Sequence, residues 1–361
     1  MSRVLILTAS VGEGHDLPAR TLTAQILAEE PGAEVIVEDG LALLGRPFRL
    51  VSEQVPGLIF HRARWLYDLG FWLVAGFGPS RRLARRLAIR LGGPPLLRFV
   101  EDVEPDVVVS VYPVTTEVLA AVRRSGRLRV PLVAAITDLA MMRWWAAPGV
   151  DLHLVTHPES IAEVRAVAGG ESRIEVVHGL TRPEFVRPTE PAAARRSLGL
   201  PADGKVVLVS GGGWGVGDLS SAIETALAVD AAVVVALCGR NEVLRLRLEE
   251  TYKSEPRVRV VGFTEHMGDW LAAADALVHS TGGLTVLEAH MRGCPTISYG
   301  WGRGHLRANN RAFRRFGLAE VVRTRRELAP ALAGVLAARR AADLTFAALP
   351  SAASLVLALA S

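Results

Sequence analysis

A chain of 361 residues is longer than one hydrophobic core usually serves, so two domains are expected. Half of the residues are apolar, 22% are charged and the net charge is only +4, a balance that excludes a disordered chain. Lys205 and Lys253 are the only lysines beside abundant arginine and alanine, so the cations reflect base composition and imply no nucleic-acid partner.

The first element is a strand, Val4 to Thr8, an apolar run of the kind buried on both faces of a parallel sheet. Met1, Ser2 and Arg3 lead straight into it, too short a leader for a secretory signal. A glycine turn follows, Ser10-Val11-Gly12-Glu13-Gly14-His15, then a helix from about Pro18 to Glu30 and a second strand, Glu34 to Glu38. This is a βαβ opening. Beyond a long segment, Leu41 to Val100, further strands read at Asp106 to Ser110, Leu132 to Thr137, Leu152 to Thr156 and Ile174 to Val177. Proline and charge then thicken from Arg182-Pro183 to Pro191 and again from Leu200 to Gly204, the interdomain linker signal, after which the pattern restarts with Val206 to Ser210 and Gly211-Gly212-Gly213. Strands at Ala232 to Cys238, Arg257 to Val261, Ala276 to Val278 and Pro295 to Tyr299 complete a second α/β unit. The expected fold is α/β, two Rossmann-like domains whose parallel sheets face a central cleft. Residues 1–190 form the first domain, 191–204 a linker and 205–330 the second; the helices of 331–361 are expected to pack back on the first. No run of eighteen apolar residues exists to span a bilayer. Cys238 and Cys294 have no metal-ligand spacing, so a cytoplasmic protein without disulfides or a metal centre is expected.

Three loops carry candidate chemistry. In the first, glycines permit a tight turn and close ligand approach, and they place His15 at the carboxyl edge of the sheet. Leu17 occupies the third glycine position of G-x-G-x-x-G, which disfavours a nicotinamide site. In the second, Ser280-Thr281-Gly282-Gly283-Leu284-Thr285 opens a helix whose free N–H groups suit an anion. Glu288, one turn further, has the chemistry to accept hydrogen bonds from two ribose hydroxyls. In the third, Leu237-Cys238-Gly239-Arg240-Asn241 and Val261-Gly262-Phe263-Thr264-Glu265-His266-Met267 are strand-to-loop junctions at one sheet edge. Arg240 there suits phosphate, and the backbone at Phe263 suits the edge of a base.

Taken in order, these segments resemble the bacterial and plastid diacylglycerol glycosyltransferases, including monogalactosyldiacylglycerol synthase. More distantly they resemble the lipid II-forming N-acetylglucosaminyltransferase. The resemblance runs from residue 3 to about 322, and rests on Cys238 to Asn241, Gly262 to Thr264, Met267, Trp270, Ala273-Ala274-Asp275 and Gly283 to Ala289. Gly12 to His15, Thr137-Asp138, Trp145 and Val150-Asp151 extend it into the first half. It implies a GT-B fold with nucleotide on the second domain, acceptor on the first, and an inverting reaction without metal or other cofactor. By that likeness Phe263 and Met267 flank uracil and Glu288 holds ribose. Thr281, Gly282, Gly283, Leu284 and Thr285, with Gly213 and Thr264 beside them, line the diphosphate nucleotide. His15 is the implied base for the acceptor hydroxyl, with Asp138 the next candidate. The donor is expected to be UDP-galactose or UDP-glucose, and the acceptor a lipid such as diacylglycerol.

Three departures bear on substrate identity. Met142 stands where the family often has histidine, and Glu13 replaces a glycine common in the first loop. The Gln-Glu or Gln-Gln pair that grips donor-sugar hydroxyls lies four and three residues before an asparagine; before Asn309 those places hold His305 and Leu306. Leucine accepts no hydrogen bond, so an altered donor sugar is expected, with His305 and Asn309 as its contacts.

The segment Leu41 to Val100 supplies a membrane side. Phe60, Trp65, Leu66, Tyr67, Phe71, Trp72, Leu73 and Phe77 are apolar and aromatic. Arg81, Arg82, Arg85, Arg86 and Arg90 recur at helical spacing beside Leu83, Leu87 and Ile89, the pattern of a basic amphipathic helix on anionic lipid. Gly14, Trp65, Trp72, Trp145 and the arginines are thus expected on the acceptor and membrane side, at the inner face of the cell membrane. A polyprenyl-linked or soluble acceptor is the second reading, and a nucleotide-sugar binder or epimerase the third.

Overall fold

The apolar runs become two six-stranded, all-parallel sheets, each in its own compact unit. The computed structural model describes residues 1–9, 13–45, 48, 78–140, 142–170, 172–229, 231–280, 282–300, 305–337 and 341–361.

The first unit comprises Met1–Arg182 and Leu349–Ser361. Its strands are β1 (Arg3–Thr8), β2 (Glu34–Asp39), β3 (Val107–Ser110), β4 (Leu132–Ile136), β5 (Leu152–Val155) and β6 (Arg173–Val176), in the order β2-β1-β3-β4-β5-β6. Helices α1 (Glu13–Glu29), α2 (Gly40–Leu43), α3 (Gly78–Val103), α4 (Pro113–Arg124), α5 (Met142–Trp145) and α6 (Ile161–Ala168) connect them. Every residue of β3, β4 and β5 is buried, and each such Val, Leu or Ile contributes about 1.5–3 kcal/mol.

The second unit is Pro183–Ala348. It contains β7 (Val206–Ser210), β8 (Val233–Leu237), β9 (Val258–Val261), β10 (Ala276–His279), β11 (Thr296–Tyr299) and β12 (Glu320–Val322), ordered β12-β11-β10-β7-β8-β9. Its helices are α7 (Pro191–Ser197), α8 (Leu219–Ala228), α9 (Glu242–Tyr252), α10 (Met267–Ala273), α11 (Gly283–Met291), α12 (His305–Arg315) and α13 (Arg325–Ala337). Counted from β7, this is the doubly wound order 3-2-1-4-5-6. The chain then returns to the first unit as α14 (Ala352–Ala360). There Ala352, Ala353 and Val356 join the core of Leu22 and Ile26, and Ser351 and Ser354 donate to Glu29.

Several boundaries differ from the sequence expectation. Helix α1 starts at Glu13 rather than near Pro18; proline removes one ladder donor, and Thr8 donates to Asp16 at 3.0 Å to pin the first turn to β1. Helix α3 runs through Pro94 and Pro95, whose missing N–H groups leave the carbonyls of exposed Arg90 and Leu91 to water. The stretch expected as linker, 191–204, carries α7 and belongs to the second unit, where Arg195 pairs with Asp275. The chain passes between units at Arg182–Pro183, where the proline and charge signal begins, and α13 stays with the second unit.

Two aspartates of the family-like pattern are scaffold. Asp151 accepts from the Leu132 N–H at 2.7 Å and Arg123 Nη2 at 2.7 Å. Asp275 accepts from the Val206 N–H at 2.8 Å and Arg195 Nη2 at 2.7 Å. Each locks the start of its own strand to a neighbouring strand and a helix.

Candidate active site

In an open parallel sheet, ligands bind beyond the strand carboxyl ends where the strand order reverses. In the first unit that point lies between β1 and β3. His15, in the first turn of α1, and Val111-Tyr112, just past β3, meet there. The His15 Nδ1 lies 3.1 Å from the Val111 carbonyl oxygen. A carbonyl only accepts, so Nδ1 carries the hydrogen and Nε2 carries the lone pair. That is the tautomer a general base needs. Tyr112 stands edge-on to the imidazole, with centroids 5.0 Å apart at 88°. Trp145 packs at 5.6 Å and 39°, and its Nε1–H donates to Asp138 Oδ2 at 2.9 Å. Among the described residues, a Cβ added at Gly14 would meet nothing within 4 Å.

In the second unit the order reverses between β7 and β10. The loop after β7 and the loop after β8 are packed backbone to backbone. The Arg240 N–H donates to the Gly213 carbonyl at 2.8 Å, and a Cβ on Gly239, at φ +58°, would lie 2.4 Å from the Gly212 oxygen. Gly217 leaves room for Ser280, whose Cβ would be 2.5 Å from its own. These glycines serve packing. Gly282 differs: a Cβ there meets nothing within 4 Å. It is the N-cap of α11 and has no side chain to cap that helix, so the amides at Gly283, Leu284 and Thr285 form an anion-attracting end. Glu288 is only 4% exposed and lies on the same helix face as Leu284 and Thr285. The Arg240 guanidinium lies 3.8 Å above the Phe263 ring, so it covers one face of the side chain expected against uracil. Thr264 Oγ1 accepts from the His266 N–H and shapes the turn into α10, where Met267 is half-buried.

Residues 24–180 match the family model for monogalactosyldiacylglycerol (MGDG) synthase, and residues 206–353 that for the glycosyltransferase family 28 C-terminal domain. The processive diacylglycerol beta-glucosyltransferase of Bacillus subtilis (strain 168) is 26% identical over 340 residues, spanning 93% of this chain and 87% of its own. A probable chloroplastic monogalactosyldiacylglycerol synthase of Glycine max is 28% identical over 317 residues, 82% of this chain and 58% of its own. The chain is a glycosyltransferase whose first part is similar to monogalactosyldiacylglycerol synthase and whose second part is similar to the family 28 C-terminal domain. MurG of Acinetobacter baumannii superposes with a TM-score of 0.62 at 17% identity over 99% of both chains. SnogD from Streptomyces nogalater gives 0.56 at 18% over both full lengths. These likenesses establish the GT-B fold.

Other expected residues of this glycosyltransferase fall differently. Trp145, expected on the acceptor and membrane side, is 1% exposed; the one-turn helix α5 turns it inward behind His15. Arg85, expected to meet lipid, has its Nε 2.5 Å from Glu117 Oε1. Asn309, expected against the donor sugar, is 1% exposed on α12, which His305 opens. Met142 is fully buried. Ser10 to Gly12, Phe60, Trp65, Leu66, Tyr67, Phe71, Trp72, Leu73, Phe77 and Thr281 lie outside the described residues. Sequence reasoning missed Tyr112 and the Val111 carbonyl. Their place just past a strand was legible, but the pairing of that strand with β1, which brings them to His15, was not.

Proposed function

We propose that this glycosyltransferase moves a hexose from a UDP-sugar to diacylglycerol at an anionic membrane surface, with inversion and without a metal. The names of its relatives support the acceptor class, and the His15 tautomer carries the mechanistic reading. The first unit holds the acceptor hydroxyl against His15 Nε2. The hydroxyl oxygen attacks the anomeric carbon as the bond from that carbon to the diphosphate oxygen breaks. The proton passes to Nε2 and the bonding pair leaves with UDP. A neutral imidazole has the proton affinity for this near pH 7. Single displacement at the anomeric carbon inverts its configuration.

The α11 N-terminus and Arg240 supply positive charge for the leaving diphosphate, a role that needs no cation. The carboxylate of Glu288, buried on α11 one turn past its start, has the chemistry to accept from two ribose hydroxyls. On α3, Arg82, Arg86 and Arg90 form one exposed stripe. Beside it Leu83, Leu87 and Leu91 form another, at 59%, 46% and 53% exposure. Leucines this exposed beside arginines suit the boundary between headgroups and acyl chains. Among the described residues no helix is long and apolar enough to cross a membrane.

The test is a transfer screen with UDP-glucose, UDP-galactose and UDP-N-acetylglucosamine over diacylglycerol vesicles, with and without EDTA. Glycosyl-diacylglycerol of β configuration, formed equally in EDTA, is the expected product. Transfer only to a soluble or polyprenyl acceptor, or sugar isomerisation without acceptor, would overturn the proposal.

A further inference from the structure

We infer that the cavity where α3, α4, α5 and α6 meet is a binding site for a phosphate monoester, gripped by Arg85, Arg124 and Arg143. The cavity holds about 340 Å³, and Glu117, Ala147 and Val167 line it beside the three arginines. Each arginine comes from a different helix: Arg85 from α3, Arg124 from the end of α4 and Arg143 from α5. None of these residues belongs to the sites built around His15 or Glu288, so the inference does not rest on the transfer chemistry.

Three cations here face one carboxylate, so with Glu117 ionised the lining keeps an excess of two positive charges. Burial raises the pKa of Glu117, while Arg85, Arg124 and Arg81 each pull it back down, so the field of several arginines converges on this one place. Two of the guanidiniums are already held. Arg85 Nε lies 2.5 Å from Glu117 Oε1, and Arg124 Nη1 donates to the Pro148 carbonyl. Each spends one of its five N–H groups there and keeps others for a ligand. Arg143 is exposed, and among the described residues its side chain forms no ion pair or hydrogen bond. A guanidinium presents paired donors that match two phosphate oxygens, and side chains fixed beforehand lose less freedom on binding. The charge selects the kind of phosphate. A monoester carries about −1.5 to −2 near pH 7 and offers three terminal oxygens, one for each arginine. A phospholipid diester carries a single charge and two such oxygens, which leaves part of the excess unmatched. The small apolar walls leave room for the carbon part of the ester.

Calorimetric titration of the full chain tests this with inorganic phosphate, methyl phosphate and glycerophosphoglycerol, the free headgroup diester of phosphatidylglycerol. Excess UDP is present throughout, so that the α11 end is not the site measured. Inorganic phosphate and methyl phosphate should saturate one site, with the diester weaker by about tenfold, the scale of one lost charge-assisted hydrogen bond. Arg143→Gln and Arg124→Gln should each weaken methyl phosphate binding by about 5–20-fold, the same scale reduced for exposure. Glu117→Gln should act in the opposite direction and tighten binding by about 3–10-fold. Its amide keeps an acceptor for Arg85 and loses the charge that repels phosphate. Loss of packing alone would give no such gain. Arg98→Gln, exposed on α3 outside the cavity, is the control and should change nothing. Melting temperature is measured on every variant; Arg143→Gln alters an exposed side chain and decides even where the Arg124 or Glu117 variant fails to fold. Absence of saturable phosphate binding, a diester bound as tightly as the monoester, or wild-type affinity in Arg143→Gln would overturn the inference.

Discussion

Replacing Arg82, Arg86 and Arg90 together by glutamine should detach the protein from anionic vesicles while leaving its fold intact. All three are exposed, four residues apart on α3, and so lie on one face of the helix. A basic residue near a membrane carrying anionic lipid contributes about 1 kcal/mol. The three together contribute about 3 kcal/mol, and their loss lowers the partition coefficient by about 100-fold. The apolar stripe of Leu83, Leu87 and Leu91 remains, so residual, salt-insensitive binding is expected. Raising ionic strength from 0.1 to 1 M shortens the screening length from about 10 to about 3 Å and should reproduce the variant's behaviour with the wild-type protein. Co-sedimentation with phosphatidylglycerol-containing and purely zwitterionic vesicles measures both effects. Arg85→Gln is the internal control. Its partner Glu117 has its pKa raised chiefly by burial, an effect that Arg85 counteracts. Losing Arg85 should lower the melting temperature and spare vesicle binding. Wild-type binding by the triple variant, or detachment by Arg85→Gln without destabilisation, would refute the assignment of the exposed face.

Burial pushes the His153 imidazole down to about 4. Its folded pKa lies below the unfolded value near 6.5, so the unfolded chain binds a proton first as pH falls. Stability from this group is present above about 6.5 and lost down to about 4, amounting to about 3 kcal/mol; urea unfolding at several pH values should show that slope, and His153→Leu should flatten it. Gly239→Ala places a methyl group 2.4 Å from the Gly212 oxygen at φ +58°. Strain and overpacking should cost about 2–5 kcal/mol, read by denaturation, with UDP binding weakened because the Gly213 and Arg240 loops separate.

The sheets were legible because strands buried on both faces read as unbroken apolar runs, as in Val206 to Ser210. β12 was not, since three residues, Glu320–Val322, are too few for a periodicity. The linker signal began at the crossing, Arg182–Pro183, but its 191–204 part overran because proline marks helix starts as readily as loops: Pro191 opens α7. His15 was legible from a glycine turn at a strand end, yet its bracing was not. Tyr112 and Trp145 are 97 and 130 residues away, and only the sheet order brings them together. The arginines of α3 showed helical spacing, but the pairing of Arg85 with Glu117 in α4 was not legible, because no local pattern reveals that partner.

Calorimetric titration with UDP tests the central claim most directly, comparing wild type, Glu288→Ala and His15→Ala. The account predicts saturable binding by wild type, a loss of about 1.5–3 kcal/mol for Glu288→Ala, and unchanged affinity for His15→Ala despite lost transfer. Undiminished affinity in Glu288→Ala, or weakened affinity in His15→Ala, would contradict it.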